Sequence, residues 1–69
     1  MNAIRNIRER VFAISQTELA VITGRDQATV SRWEAGLSDP TLEDLRRVRA
    51  EAIRLGLDWN DASFFEVAA

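Results

Sequence analysis

The apolar positions of this chain follow a helical rhythm, and polar turns divide them into segments. Over residues 2–12, Ile4, Ile7, Val11 and Phe12 fall on one side of a helix, with Arg5, Arg8, Glu9 and Arg10 on the other. Leu19, Ala20 and Ile22 belong to a second, shorter segment. Val30 and Trp33, three residues apart, mark the inward side of a third over residues 27–35. Leu42, Leu45, Val48 and Ala52 then share one face of a longer helix that runs to about Leu55, with Arg46, Arg47, Glu51 and Arg54 largely outside. The remainder, from Leu57 to Val67, is rich in aromatics, and a short fifth helix starting near Asp58 or Asp61 would present Trp59, Phe64 and Phe65. The expected fold is all-α, a compact bundle of four to five short helices. It forms one domain over residues 1–69, with residues 57–69 a candidate dimerisation segment.

Punctuation sharpens this outline around residues 15–36. Ser15 and Glu18 have the S-x-x-E spacing of a capping box, with Ile14 and Leu19 placed as a hydrophobic staple. Gly24 can take the left-handed conformation that ends a helix at little cost. Two residues later Asp26 offers a side-chain oxygen to cap the next helix. Two short helices joined through a glycine-containing corner make a helix-turn-helix, the motif that lays its second helix in the major groove of DNA. Further on, Gly36 is a plausible cap and Pro40 cannot continue a helix that needs its amide. Thr41 and Asp44 repeat the capping pattern for the helix of residues 42–55, which Gly56 ends.

Composition removes several alternatives. A chain of 69 residues buries only about 60% of its unfolded surface, so extra stability should come from tight helix packing or dimerisation. With no cysteine there are no disulfides or thiolate metal sites, and with no histidine nothing titrates near neutral pH in its ordinary environment. No metal, cofactor or catalysis is expected. The sequence has no glycine-rich phosphate loop and no nucleophile–base pair, and Glu43, Asp44, Asp58 and Asp61 read as caps and solvated faces. No run approaches the roughly 18 apolar residues of a membrane span, and residues 1–10 do not read as a signal peptide, so a soluble cytoplasmic protein is expected. The net charge of −2 argues against a nucleic-acid partner until the chain is divided. Residues 1–34 hold five arginines against four carboxylates, residues 35–69 four against seven. All nine basic residues are arginine, which suits bidentate contacts to phosphate and guanine.

Gln16, Glu18-Leu19-Ala20, Gly24, Thr29-Val30-Ser31-Arg32-Trp33-Glu34 and Gly36 resemble the signature of the lambda-repressor-like (Xre/Cro) family of helix-turn-helix regulators. The likeness continues more loosely through Pro40-Thr41-Leu42-Glu43. The resemblance implies a regulator of double-stranded DNA that binds a palindromic operator as a homodimer, with residues 27–35 in the major groove. Autorepression by protein concentration follows for a chain that is all reader. Phages, mobile elements, toxin–antitoxin operons and anti-CRISPR-associated loci are the settings it implies, in a bacterial or phage-encoded, nucleoid-associated protein. It further implies an ion pair between an arginine of the first helix, Arg8 foremost, and Glu34. The chain departs from the family at Thr23 and Arg25, where apolar residues are usual, and at Ala28, where a longer polar residue is common. The Ala13-Ile14 link is also often one residue shorter in the family, which leaves the register of the first helix open.

These arguments single out a set of contacts. Gln27 at the start of the reading helix can pair with adenine N6 and N7, Ala28 can touch a thymine methyl, and Arg32 can reach guanine or phosphate. Gln16, at a helix amino end where free amides face an anion, is the first phosphate candidate. Thr29, Ser31, Arg10 and Arg25 follow it. Val30, Trp33, Leu19, Ala20 and Leu45 are core. Trp59, Phe64 and Phe65 either close that core or form a self-complementary dimer interface. The rival from another class is a protein-binding module, antitoxin-like, whose acidic aromatic tail grips a protein partner.

Overall fold

The computed structural model describes residues 3–61. Among these all regular structure is helical and there is no strand: α1 (Ala3–Asn6), α2 (Gln16–Thr23), α3 (Gln27–Glu34) and α4 (Leu42–Arg54), with a π-helical continuation of α1 over Ile7–Phe12. Ile4, Ile7, Leu19, Ala20, Val30, Trp33, Leu45 and Val48 meet in one core, and Val11, Phe12, Ile14, Ile22 and Trp59 pack half-buried around it. The fully buried Ile4, Ile7, Leu19, Val30 and Val48 each contribute about 1.5–3 kcal/mol through apolar burial.

The first helix carries the largest departure from the expected outline. Asn6 keeps helical dihedrals (φ −62°, ψ −44°), so α1 passes into the π-helical stretch without a break. The stretch closes at Ala13, whose left-handed conformation (φ 54°) lets its N–H donate to the Arg8 carbonyl, five residues back. Ile14 N–H reaches the same carbonyl at 3.2 Å. The Ala13-Ile14 link is thus closed onto the Arg8 carbonyl by a widened helical turn. Ile4 and Ile7 stay in the core, while Val11 and Phe12 are moved to its edge.

The helix ends behave as their sequences dictate. Ser15 Oγ accepts from Glu18 N–H and Glu18 Oε1 accepts from Ser15 N–H, each at 3.1 Å, which closes the first capping box. Gly24 ends α2 at φ 71°, and Asp26 Oδ1 accepts from Thr29 N–H at 2.8 Å to begin α3. Thr41 and Asp44 form the second box, at 2.8 and 3.2 Å. One expectation for α4 fails. Leu42, placed on the core face by periodicity, is 64% exposed, and Asp44 is buried instead. As the first residue of its helix Leu42 has no earlier turn to hold it inward, whereas Asp44 is drawn in by its cap and by Arg25. No helix begins at Asp58: residues 57–60 are irregular and Asp61 lies in a turn. The alternative start at Asp61, with Phe64 and Phe65, lies outside the described residues.

Candidate nucleic-acid interface

Val30 and Trp33 anchor α3 in the core, 0% and 4% exposed, which fixes the rotation of the helix about its axis. With that face buried, Gln27, Ala28 and Arg32 lie on the exposed side, and Thr29 and Ser31 are half-buried at its margins. The side chain of Asp26 locks the first turn, and hydrogen bonds from Thr29 hold its carboxyl below the ordinary carboxylate range. Arg32 Nη2 donates to Thr29 Oγ1 at 3.0 Å, so its guanidinium lies back along α3 towards the helix start.

Behind this surface runs a chain of polar contacts that joins three helical segments. Arg8 grips Glu34 with two hydrogen bonds, Nε to Oε2 at 2.7 Å and Nη2 to Oε1 at 3.0 Å, and donates from Nη1 to the Ile14 carbonyl at 2.9 Å. The ion pair implied for Arg8 is therefore present, and both side chains are largely buried. Glu34 Oε1 also accepts from Gln16 Nε2 at 3.2 Å, and Gln16 Oε1 accepts from Gln27 Nε2 at 2.6 Å. Burial pushes the Glu34 carboxyl up, but hydrogen bonds from Arg8 and Gln16 together with the Arg8 charge outweigh it and leave the pKa lowered. Glu34 is accordingly a carboxylate at neutral pH, able only to accept.

A second polar clamp fixes the corner of the motif. Arg25 donates to Asp44 through Nε at 2.9 Å and Nη2 at 3.1 Å, while Thr41 N–H and Oγ1 donate to the same carboxylate at 2.8 and 2.9 Å. Burial raises the Asp44 carboxyl, yet Arg25 and the Thr41 hydrogen bonds prevail and hold it low. Arg47 Nη1 donates to the Thr23 carbonyl at 3.1 Å, placing a cation on the carboxyl end of α2, where the helix dipole favours it. Thr23 itself is buried, and its hydroxyl donates back to the Leu19 and Ala20 carbonyls at 3.1 and 3.2 Å. The two unusual residues of the corner are thus both satisfied, Thr23 within its own helix and Arg25 across to α4.

The structure brings Gln16 and Gln27 together and leaves Arg10 and Arg32 exposed. Among the described residues Arg10, Arg32 and Arg46 are the arginines that pair with no carboxylate. Two of those three are DNA-contact candidates. Arg25, a third cationic candidate, is engaged by Asp44, and a phosphate there would have to share it. Trp59 lies half-buried against its own chain's core, with Nε1 donating to Asp61 Oδ1 at 2.9 Å. Arg49 donates to the same oxygen. Phe64 and Phe65 lie outside the described residues. Sequence reasoning missed the link from Glu34 to Gln16 and the clamp of Arg25, Asp44 and Arg47. Each joins residues 18 or more apart, and only the crossing of the helices reveals them.

Among the described residues no helix is long and apolar enough to cross a membrane. No curated protein and no solved structure gives a match to the chain. A helix-turn-helix family model matches residues 4–60, which takes in α2, α3 and every contact of the polar chain described above. The protein therefore belongs to the lambda-repressor/Xre-type helix-turn-helix family of DNA-binding transcription regulators.

Proposed function

We propose that the protein acts as a homodimeric repressor of its own operon, binding a palindromic operator with residues 27–35 in the major groove. One observation carries this reading: the exposed face of α3 offers Gln27 already hydrogen-bonded to Gln16 at 2.6 Å, on a helix whose rotation is fixed by buried Val30 and Trp33. Held in this way, Gln27 meets a base edge with little conformational freedom left to lose. Ala28 and Arg32 extend the base contacts, and Gln16, Thr29, Ser31, Arg10 and Arg25 are assigned to phosphates. The dimer is assigned to residues 57–69, with Trp59, Phe64 and Phe65 at its interface. Dimers of this motif place their half-sites about one helical turn apart.

Titration against the DNA upstream of its own gene, with footprinting at two salt concentrations, tests the reading. A protected two-fold site that weakens as salt rises is the expected result. Gln27→Ala with Arg32→Ala should abolish protection while leaving the circular-dichroism spectrum and unfolding midpoint close to the parent. Uniform weak binding, or none, would overturn it.

A second reading is favoured by the net charge of −2 and by an open apolar groove lined by Phe12, Ile14, Val21, Ile22, Leu55 and Leu57. In that reading the chain is an antitoxin-like module that holds a protein partner through its acidic aromatic tail. A stoichiometric complex lost on changing Trp59 and Phe65, without specific DNA protection, would select it.

A further inference from the structure

The polar chain behind α3 has a direction, and that direction is set by charge. Glu34 is a carboxylate with no proton to give, so the amide atom of Gln16 that faces it must be the Nε2 donor. With Nε2 turned to Glu34, the Oε1 of Gln16 lies 2.6 Å from the Gln27 amide and accepts from its Nε2. The choice of oxygen and nitrogen on both amides therefore follows from chemistry rather than from their near-identical shapes. Gln27 keeps Oε1 and one Nε2 hydrogen free, one acceptor beside one donor. That pair matches adenine N6–H and N7, whereas guanine presents two acceptors, N7 and O6.

We infer that Glu34 is a specificity-positioning residue: its carboxylate orients the Gln16 amide, which orients the Gln27 amide, so that Gln27 selects adenine over guanine. Without the carboxylate both amides can turn over together. Gln27 Oε1 would then accept from Gln16 Nε2, and both Gln27 Nε2 hydrogens would point outward, a pair of donors that guanine accepts. Loss of the relay consequently relaxes the choice between the two purines. The inference rests on the reading of Gln27 as a base contact.

The test compares affinities for operators in which each adenine of a half-site is replaced in turn by guanine. Gln27→Ala identifies the position at which Gln27 discriminates, and there the parent should prefer adenine by roughly tenfold or more. Glu34→Gln should cut that ratio to about threefold or less. Because Glu34→Gln also disturbs the pair with Arg8, Gln16→Met provides a second variant that interrupts the relay while leaving Arg8 and Glu34 joined. It should lower affinity for both operators and lower the ratio as well. The ratio is insensitive to the fraction of protein folded, which a merely structural role of Glu34 would alter. An unchanged ratio in Gln16→Met, or in a folded Glu34→Gln, overturns the relay, as does a parental preference for guanine. If no position loses discrimination in Gln27→Ala, the base-contact reading falls, and the relay with it.

Discussion

Gly24 shows how much a single residue settles in a chain this small. Its φ of 71° is ordinary for glycine and costly for any side chain, and a Cβ there would come within 2.6 Å of Arg47 Nη1. Gly24→Ala should therefore destabilise the protein by about 1–2 kcal/mol, read as a lower midpoint in urea. It also displaces Arg47 from the Thr23 carbonyl. Ala13 is the opposite case, an alanine held at φ 54°. Ala13→Gly should stabilise the fold by roughly 0.5–1 kcal/mol, as glycine removes the left-handed strain at some cost in unfolded-chain entropy. An increase in the same midpoint checks it. At this scale the sequence was informative wherever a residue acts on its immediate neighbours. The caps at Ser15, Asp26 and Thr41 could be read from spacing alone, because a cap joins residues three apart. The partners of Arg25 and Thr23 could not. An arginine in a turn looks the same whether it faces solvent or a carboxylate 19 residues away.

Among the elements, α3 was the most legible and the first helix the least. Val30 and Trp33, spaced three apart between the aspartate cap at Asp26 and Gly36, allow one register only. The stretch from Ile4 to Phe12 offers apolar residues at spacings of three, four and one, which an α-helix and a widened helix satisfy about equally. Only the position of Ser15, fixed by its own capping box, and the grip of Arg8 on Glu34 decide between them. That grip ties the first helix to α3. Arg8→Met should therefore cost about 3 kcal/mol or more, because Glu34 would stay largely buried with Gln16 as its remaining donor among these contacts. Equilibrium unfolding measures the loss. α4 is attached in a comparable way, with Asp44 serving both its own cap and Arg25, and Leu42 left at the surface in consequence.

For the whole molecule, the arrangement of charge predicts how stability follows pH. Asp26, Glu34, Asp44, Glu51 and Asp61 all have lowered pKa values in the fold. A carboxyl held below its unfolded value contributes stability above that value and loses it as pH falls through the folded one. With no histidine to titrate between, unfolding free energy should stay level from about pH 6 to 8 and decline progressively below about pH 5. Urea midpoints measured across that range test it. The arrangement also bears on how an acidic chain can suit DNA: six of nine arginines pair with carboxylates of the same chain, and Arg10 and Arg32 stand outside those ion pairs in the half that carries α3. The widened turn at Ile7–Phe12 bears on how such chains can change over time. One residue inserted before a capped helix would ordinarily rotate everything upstream by about 100° and swing Ile4 and Ile7 out of the core. Here the wide turn between Arg8 and Ala13 sets the rotation of Ile4 and Ile7 relative to the Ser15 cap, and both ends keep their seats. A turn of this kind is a place where a residue can be gained or lost by passing between π- and α-helical winding, with α2 and α3 left as they are.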